Sequence, residues 1–174
     1  MQNSLLVSVV GPDRPGLVEQ LSRVVSQAGG NWEGSRLIQL GGQFAGIVQV
    51  VAPEAALDSL TKNLEQLSDA GLTVSVIHSG SAEAAGEKAE TQTLEIVGQD
   101  RSGIVAAISE ALAKENVNVI ELATDCREAP WSGERLFHTE ATVSVPEGVS
   151  IASIVEKIEA VAGDLMVELK EDPA

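Results

Sequence analysis

Asp13, Arg14, Pro15 and Gly16 stand directly ahead of a helical stripe of apolar residues, and Asp100, Arg101, Ser102 and Gly103 stand ahead of another, 87 positions later. The first turn of a helix carries backbone N–H groups with no partner inside the helix, and its dipole favours negative charge. A glycine beside it lets a ligand come close to the backbone, so each turn could receive a carboxylate. Asn31 and Asn118, also 87 apart, each open the strand that follows the helix. A side-chain amide there could give its oxygen to a ligand ammonium and its N–H to a carboxylate. Such groups suit recognition of a small zwitterion and not bond-breaking. Plainer roles are open to the same residues: Asp13 and Asp100 as helix caps, Asn31 and Asn118 as turn formers, and Arg14 and Arg101 as partners of carboxylates across an interface.

The elements that must hold these residues come in two matching sets. Leu5 to Val10 is a short apolar run that stops at Gly11-Pro12, which predicts a strand buried on both faces. Leu17, Leu21, Val24, Val25 and Ala28 then form one stripe of a helix, with Pro15 suited to its first position and Asp13 able to accept from its first amides. Gly29-Gly30 ends it. Trp32 to Leu40, the Gly41-Gly42 turn and Phe44 to Val51 predict a hairpin closed by Pro53. Leu57, Leu60, Leu64 and Leu67 mark a second helix, and Leu72 to Ile77 a fourth strand.

The order β-α-β-β-α-β then repeats. Gly11, Asp13, Arg14 and Gly16 recur as Gly98, Asp100, Arg101 and Gly103, and the stripe Ile104, Ile108, Ala111 and Leu112 follows. After Thr124 the offset grows from 87 to 93, which places an insert at 125 to 135, with Trp131 at its tip as a candidate interface anchor. Residues 79 to 90 hold only small and charged side chains and read as a linker between domains at 1–78 and 91–174. The fold class expected is α+β: two ferredoxin-like domains, each a four-stranded antiparallel sheet with both helices on one face. The other face of each sheet should be partly apolar and buried, either against the second domain or in a dimer, and self-association is expected most simply as a two-fold homodimer.

The Asp-Arg-Pro-Gly turn before a helix and the Asn at the next strand, in this element order and doubled, resemble the ACT domain, a small regulatory module usually found in pairs. The resemblance extends over nearly the whole chain apart from 79–90. It implies amino-acid binding through Asp13, Arg14, Pro15, Gly16 and Asn31 and through Asp100, Arg101, Ser102, Gly103 and Asn118. The first turn keeps the fuller motif and is the favoured site, with Trp32 at its mouth, while Ser102 can cap its own helix. Tandem chains without a catalytic domain are similar to the glycine cleavage system transcriptional repressor family. That likeness implies a non-enzymatic sensor of glycine or serine that acts on a partner protein, such as a DNA-binding activator. Two other readings stay open: a dimerisation module without a metabolite, and the regulatory subunit of a biosynthetic enzyme.

Composition narrows the classes further. Lys and Arg number 11 against 26 Asp and Glu, a formal net charge of -15, so the long-range field repels phosphate backbones and anionic membranes. Two Trp, two Phe and no Tyr offer little for stacking bases. Direct nucleic-acid binding is therefore not expected. Cys126 is the single cysteine, which suits a reducing compartment, and with no signal pattern before Leu5 a cytoplasmic location is expected. His78 and His138 lack neighbours at triad or zinc spacing, and no Gly-rich nucleotide motif occurs, so neither metal nor cofactor is expected.

Overall fold

In each half, two central strands pair on both sides and the remaining elements are arranged around them. The computed structural model describes residues 2–79, 90–129, 132–161 and 163–170. The chain divides into two units, Met1–Ala84 and Ala85–Ala174. The first contains β1 (Gln2–Pro12), α1 (Leu17–Gln27), β2 (Asn31–Leu40), β3 (Gln43–Pro53), α2 (Leu57–Glu65) and β4 (Thr73–Ser79). The second contains β5 (Glu90–Gln99), α3 (Ile104–Lys114), β6 (Asn118–Glu128), β7 (Arg135–Val145), α4 (Ile151–Glu159) and β8 (Met166–Lys170). The strand orders are β2-β3-β1-β4 and β6-β7-β5-β8, and every pairing is antiparallel. Each unit has the ferredoxin-like arrangement expected.

Alternation along the central strands sets the cores. Leu5, Val7 and Val9 of β1 point to the helices and meet Leu17, Leu21 and Val25 of α1 and Leu60 and Leu64 of α2. Leu94 and Ile96 of β5 meet Ile104, Ile108 and Leu112 of α3 and Ile154 and Ile158 of α4 in the same way. The expectation that the run Leu5 to Val10 is buried on both faces fails. Leu6 and Ser8 are only half-buried and Val10 is 48% exposed, because no second layer covers that side of β1 within its unit.

Helix ends follow local chemistry. Gly29 closes α1 at φ 69, and its counterpart Asn116 closes α3 at φ 56. Asparagine is the residue after glycine that best tolerates this left-handed geometry, so the second unit keeps the turn without the glycine.

Two sequence readings change. Asp125 to Glu128 belong to β6, with pairing that runs on to Glu128 opposite Arg135, so the inserted residues lengthen a hairpin and do not form a loop from 125. Ser79 is the last residue of β4 and Glu90 the first of β5, so strands take both ends of the segment read as a linker. The remainder of that segment, and Trp131, lie outside the described residues. No described helix is long and apolar enough to cross a membrane.

Candidate functional site

Four residues join each central strand to its first helix, 13–16 in the first unit and 100–103 in the second. Both turns end in a left-handed glycine at the N-cap, Gly16 at φ 91 and Gly103 at φ 84. Glycine alone takes this conformation without strain. The helices therefore begin at Leu17 and Ile104, one residue past the glycine, and Pro15 lies in the turn and not at the first helical position. Neither helix has a side-chain cap, so Asp13, Asp100 and Ser102 do not fill that role.

The rest of the turn is held by its own unit. The Asp13 amide donates to the Gly42 carbonyl at 3.0 Å, and the Asp100 amide donates to the Arg135 carbonyl at 3.0 Å, so the first turn docks on the tip of a hairpin and the second on the start of β7. The Asp100 carboxylate also meets the Arg135 guanidinium at 3.3 Å. Gly11 is repeated for a packing reason, since a Cβ there would lie 2.6 Å from the Gly71 carbonyl oxygen. At Gly98 it would lie 2.5 Å from the Leu165 side chain. The segment entering the last strand of each unit crosses at that point; at Gly11 the obstacle is backbone and glycine is required, whereas at Gly98 it is the end of a leucine side chain.

The two arginines differ. Arg14 donates to the Ala70 carbonyl at 3.1 Å and to the Gln20 side-chain oxygen at 3.2 Å, both neutral acceptors, which brings its charge alongside the first turns of α1. Arg101 donates to the Asp164 carboxylate at 2.7 Å, and the other oxygen of Asp164 accepts from the Gln99 amide at 2.9 Å. The first turn thus keeps a cation next to unpaired helix amides, whereas the second neutralises its own. Sequence reading missed Asp164 because it lies 63 residues from Arg101. Its signal was its place in the repeat: 93 after Gly71, beside the carbonyl that Arg14 uses.

Hydrogen bonding to Arg101, and then to the Gln99 amide, holds the Asp164 carboxyl below its usual range. A carboxyl with a depressed folded pKa contributes stability above its unfolded pKa and loses that contribution as pH falls through the folded value. The second unit should therefore weaken on acidification below the ordinary carboxylate range. Asp164→Asn should remove that part of the pH dependence, read as a smaller fall in urea midpoint between neutral and acid pH than wild type shows. An equal fall in both proteins would contradict it.

Within one unit the asparagines are not near the turns. Asn31 pairs with Val51 at one end of β3, while Gln43, opposite Pro12, lies at the other end, about 26 Å away at about 3.3 Å per residue. Asn118, opposite Ser144, is likewise remote from Gln99, opposite Leu136. A molecule the size of an amino acid cannot touch both places in one unit. Trp32 is not at the mouth of a pocket beside the turn either: it packs on the first core with Leu21, Val25 and Leu64.

Residues 3–76 and residues 88–167 each match a family model of the ACT domain. The chain belongs to the ACT domain family. It is 25% identical over 167 residues to the glycine cleavage system transcriptional repressor of Escherichia coli K12, a match that covers 94% of this chain and 86% of the relative. Among solved structures it is similar to an unknown protein from Galdieria sulphuraria, at 28% identity and a TM-score of 0.79, with 99% of this chain and 100% of the other covered. A candidate glycine cleavage system transcriptional repressor matches at 21% identity and a TM-score of 0.70, with 98% and 97% covered, which supports the tandem fold.

Proposed function

We propose that this tandem ACT protein is a non-enzymatic, cytoplasmic regulator that senses a small amino acid, of the glycine or serine class, and controls a partner protein. The partner in this reading is a transcriptional regulator of amino-acid metabolism, such as a DNA-binding activator. The observation that carries the proposal is the pair of ACT domains spanning nearly the whole chain, in the same tandem as a glycine cleavage repressor aligned over 94% of it. A net charge of -15 favours action through a protein over direct contact with DNA.

The turn at Asp13, Arg14, Pro15 and Gly16 is the favoured ligand site. The α1 amides and the Arg14 guanidinium together suit a carboxylate, and nothing lies within 4 Å of the place a Gly16 side chain would take. The turn at Asp100, Arg101, Ser102 and Gly103 is the weaker site, because Asp164 already occupies Arg101. The boundary between the two domains is placed after Ser79 and before Glu90, and the chain acts as a two-fold homodimer. Titration calorimetry with a panel of amino acids tests the sensing claim; saturable heat with glycine or serine is the expected result.

The dimerisation module without a metabolite is the second reading. It draws on the fact that Gly11, Asp13, Arg14 and Gly16 all have internal structural roles. Heat from no amino acid up to millimolar concentration would favour it.

A further inference from the structure

The two sheets turn very different faces away from their helices. On the first, Leu6, Val10, Ile38, Leu40, Ile47 and Ile77 share the open side. All but the half-buried Leu6 are between 45% and 70% exposed. Arg36 is the one charged residue among the described residues paired across that face. At the matching positions of the second sheet, Leu6, Ile38, Leu40, Ile47 and Ile77 are replaced by Thr93, Asp125, Arg127, Glu140 and Lys170. Those charges are satisfied at the surface: Lys170 pairs with Glu140, Arg127 with Asp125 at 2.6 Å, and His138 meets Glu95 at 2.6 Å. The second unit acts as an internal control. The fold accepts polar side chains at these places, so folding does not require the apolar set of the first unit.

We propose that the open face of the first sheet is where two copies of this chain meet, sheet on sheet about a two-fold axis. This rests on the homodimer included in the reading above and is independent of the ligand. Charge on this face permits a second copy. Two chains of net charge -15 repel, and this face lets them touch without bringing carboxylates together. On the second copy the counterpart is the same face and not its second sheet, whose open side carries Glu95, Glu140 and Glu168 in one row across three strands. Identical twisted sheets pack aligned at about 30°, and a two-fold contact needs only a self-complementary patch. Four strands about 4.8 Å apart and about eight residues long present roughly 500 Å² per copy, so a pair reaches the roughly 1,000 Å² that a specific interface requires.

Sedimentation velocity on the full chain, from below micromolar to tens of micromolar, tests the proposal. Wild type should be a dimer. Leu6→Thr, Ile47→Glu and Ile77→Lys together install the second unit's own residues and should raise the dimer dissociation constant at least about a hundredfold. Far-UV circular dichroism checks that the variant is folded. Should the triple variant fail to fold, Ile77→Lys alone, on the edge strand β4, carries the test with a rise of at least about tenfold. A wild-type dimer that the folded variants leave intact would overturn this face and keep the homodimer. A monomeric wild type would overturn both and point to a different protein as the cover.

Discussion

Leu21→Ala should destabilise the first unit, and Ile108→Ala the second, by about 2 to 5 kcal/mol each, the cost of a leucine- or isoleucine-sized deletion in a core that relaxes only in part. Leu21 is 1% exposed and lies among Val7, Val25, Val48, Val50 and Leu64. Both a helix and a sheet back it, so neither can move in without disturbing the other. Ile108 is 3% exposed and sits between α3 and the strands that carry Val119, Phe137 and Thr139. Hydrogen exchange of the β1 and β5 amides reads the two units separately, which a single melting curve of a two-domain chain does not. Losses under about 1 kcal/mol at both positions would mean that neither side chain is closely packed, against the range for buried aliphatic truncations.

Gly46→Ala should cost the first unit about 3 kcal/mol, at the upper end of overpacking penalties. A Cβ at Gly46 would stand 2.1 Å from the Arg36 carbonyl oxygen and 2.8 Å from the Leu37 Cα. Both are backbone atoms of the neighbouring strand and cannot swing aside. The strand pair would have to open, with loss of ladder hydrogen bonds on either side. The second unit solves the same position differently: Thr139 takes the place of Gly46, and its hydroxyl donates at 2.9 Å to Ala123, the counterpart of Arg36. A substitution at 46 that left the β2 and β3 amides as protected as in wild type would show that β2 yields freely.

The periodicity of the chain made the fold legible. Leu17, Leu21 and Val25, and their counterparts Ile104, Ile108 and Leu112, stand on one helical face because the stripe is regular, and all six are buried. The growth of the offset from 87 to 93 marked the longer second hairpin, but not its strands, because Asp125 and Arg127 are polar on an open face and look like loop residues. The site was less legible. Gly16 and Gly103 read as ligand-facing, whereas a positive φ at the helix start requires glycine with or without a ligand. The distance from turn to asparagine was within reach of sequence reasoning: an eleven-residue helix returns the chain to the far end of the sheet, so the next strand begins away from the turn. The difference between the two open faces could also have been read, by comparing Ile47 with Glu140 and Ile77 with Lys170 across the repeat.

Calorimetry with glycine and serine on the full chain and on two variants, Arg14→Gln and Arg101→Gln, tests amino-acid sensing at the first turn most directly. Arg14 has only neutral partners and flanks the α1 amides, whereas Arg101 is already paired with Asp164. Saturable heat should appear in wild type, persist in Arg101→Gln, and weaken in Arg14→Gln by about 1.5 to 3 kcal/mol, the range for a hydrogen bond to a charged group. Heat that is absent from wild type, or that Arg14→Gln leaves unchanged, would contradict a sensing site at Asp13 to Gly16.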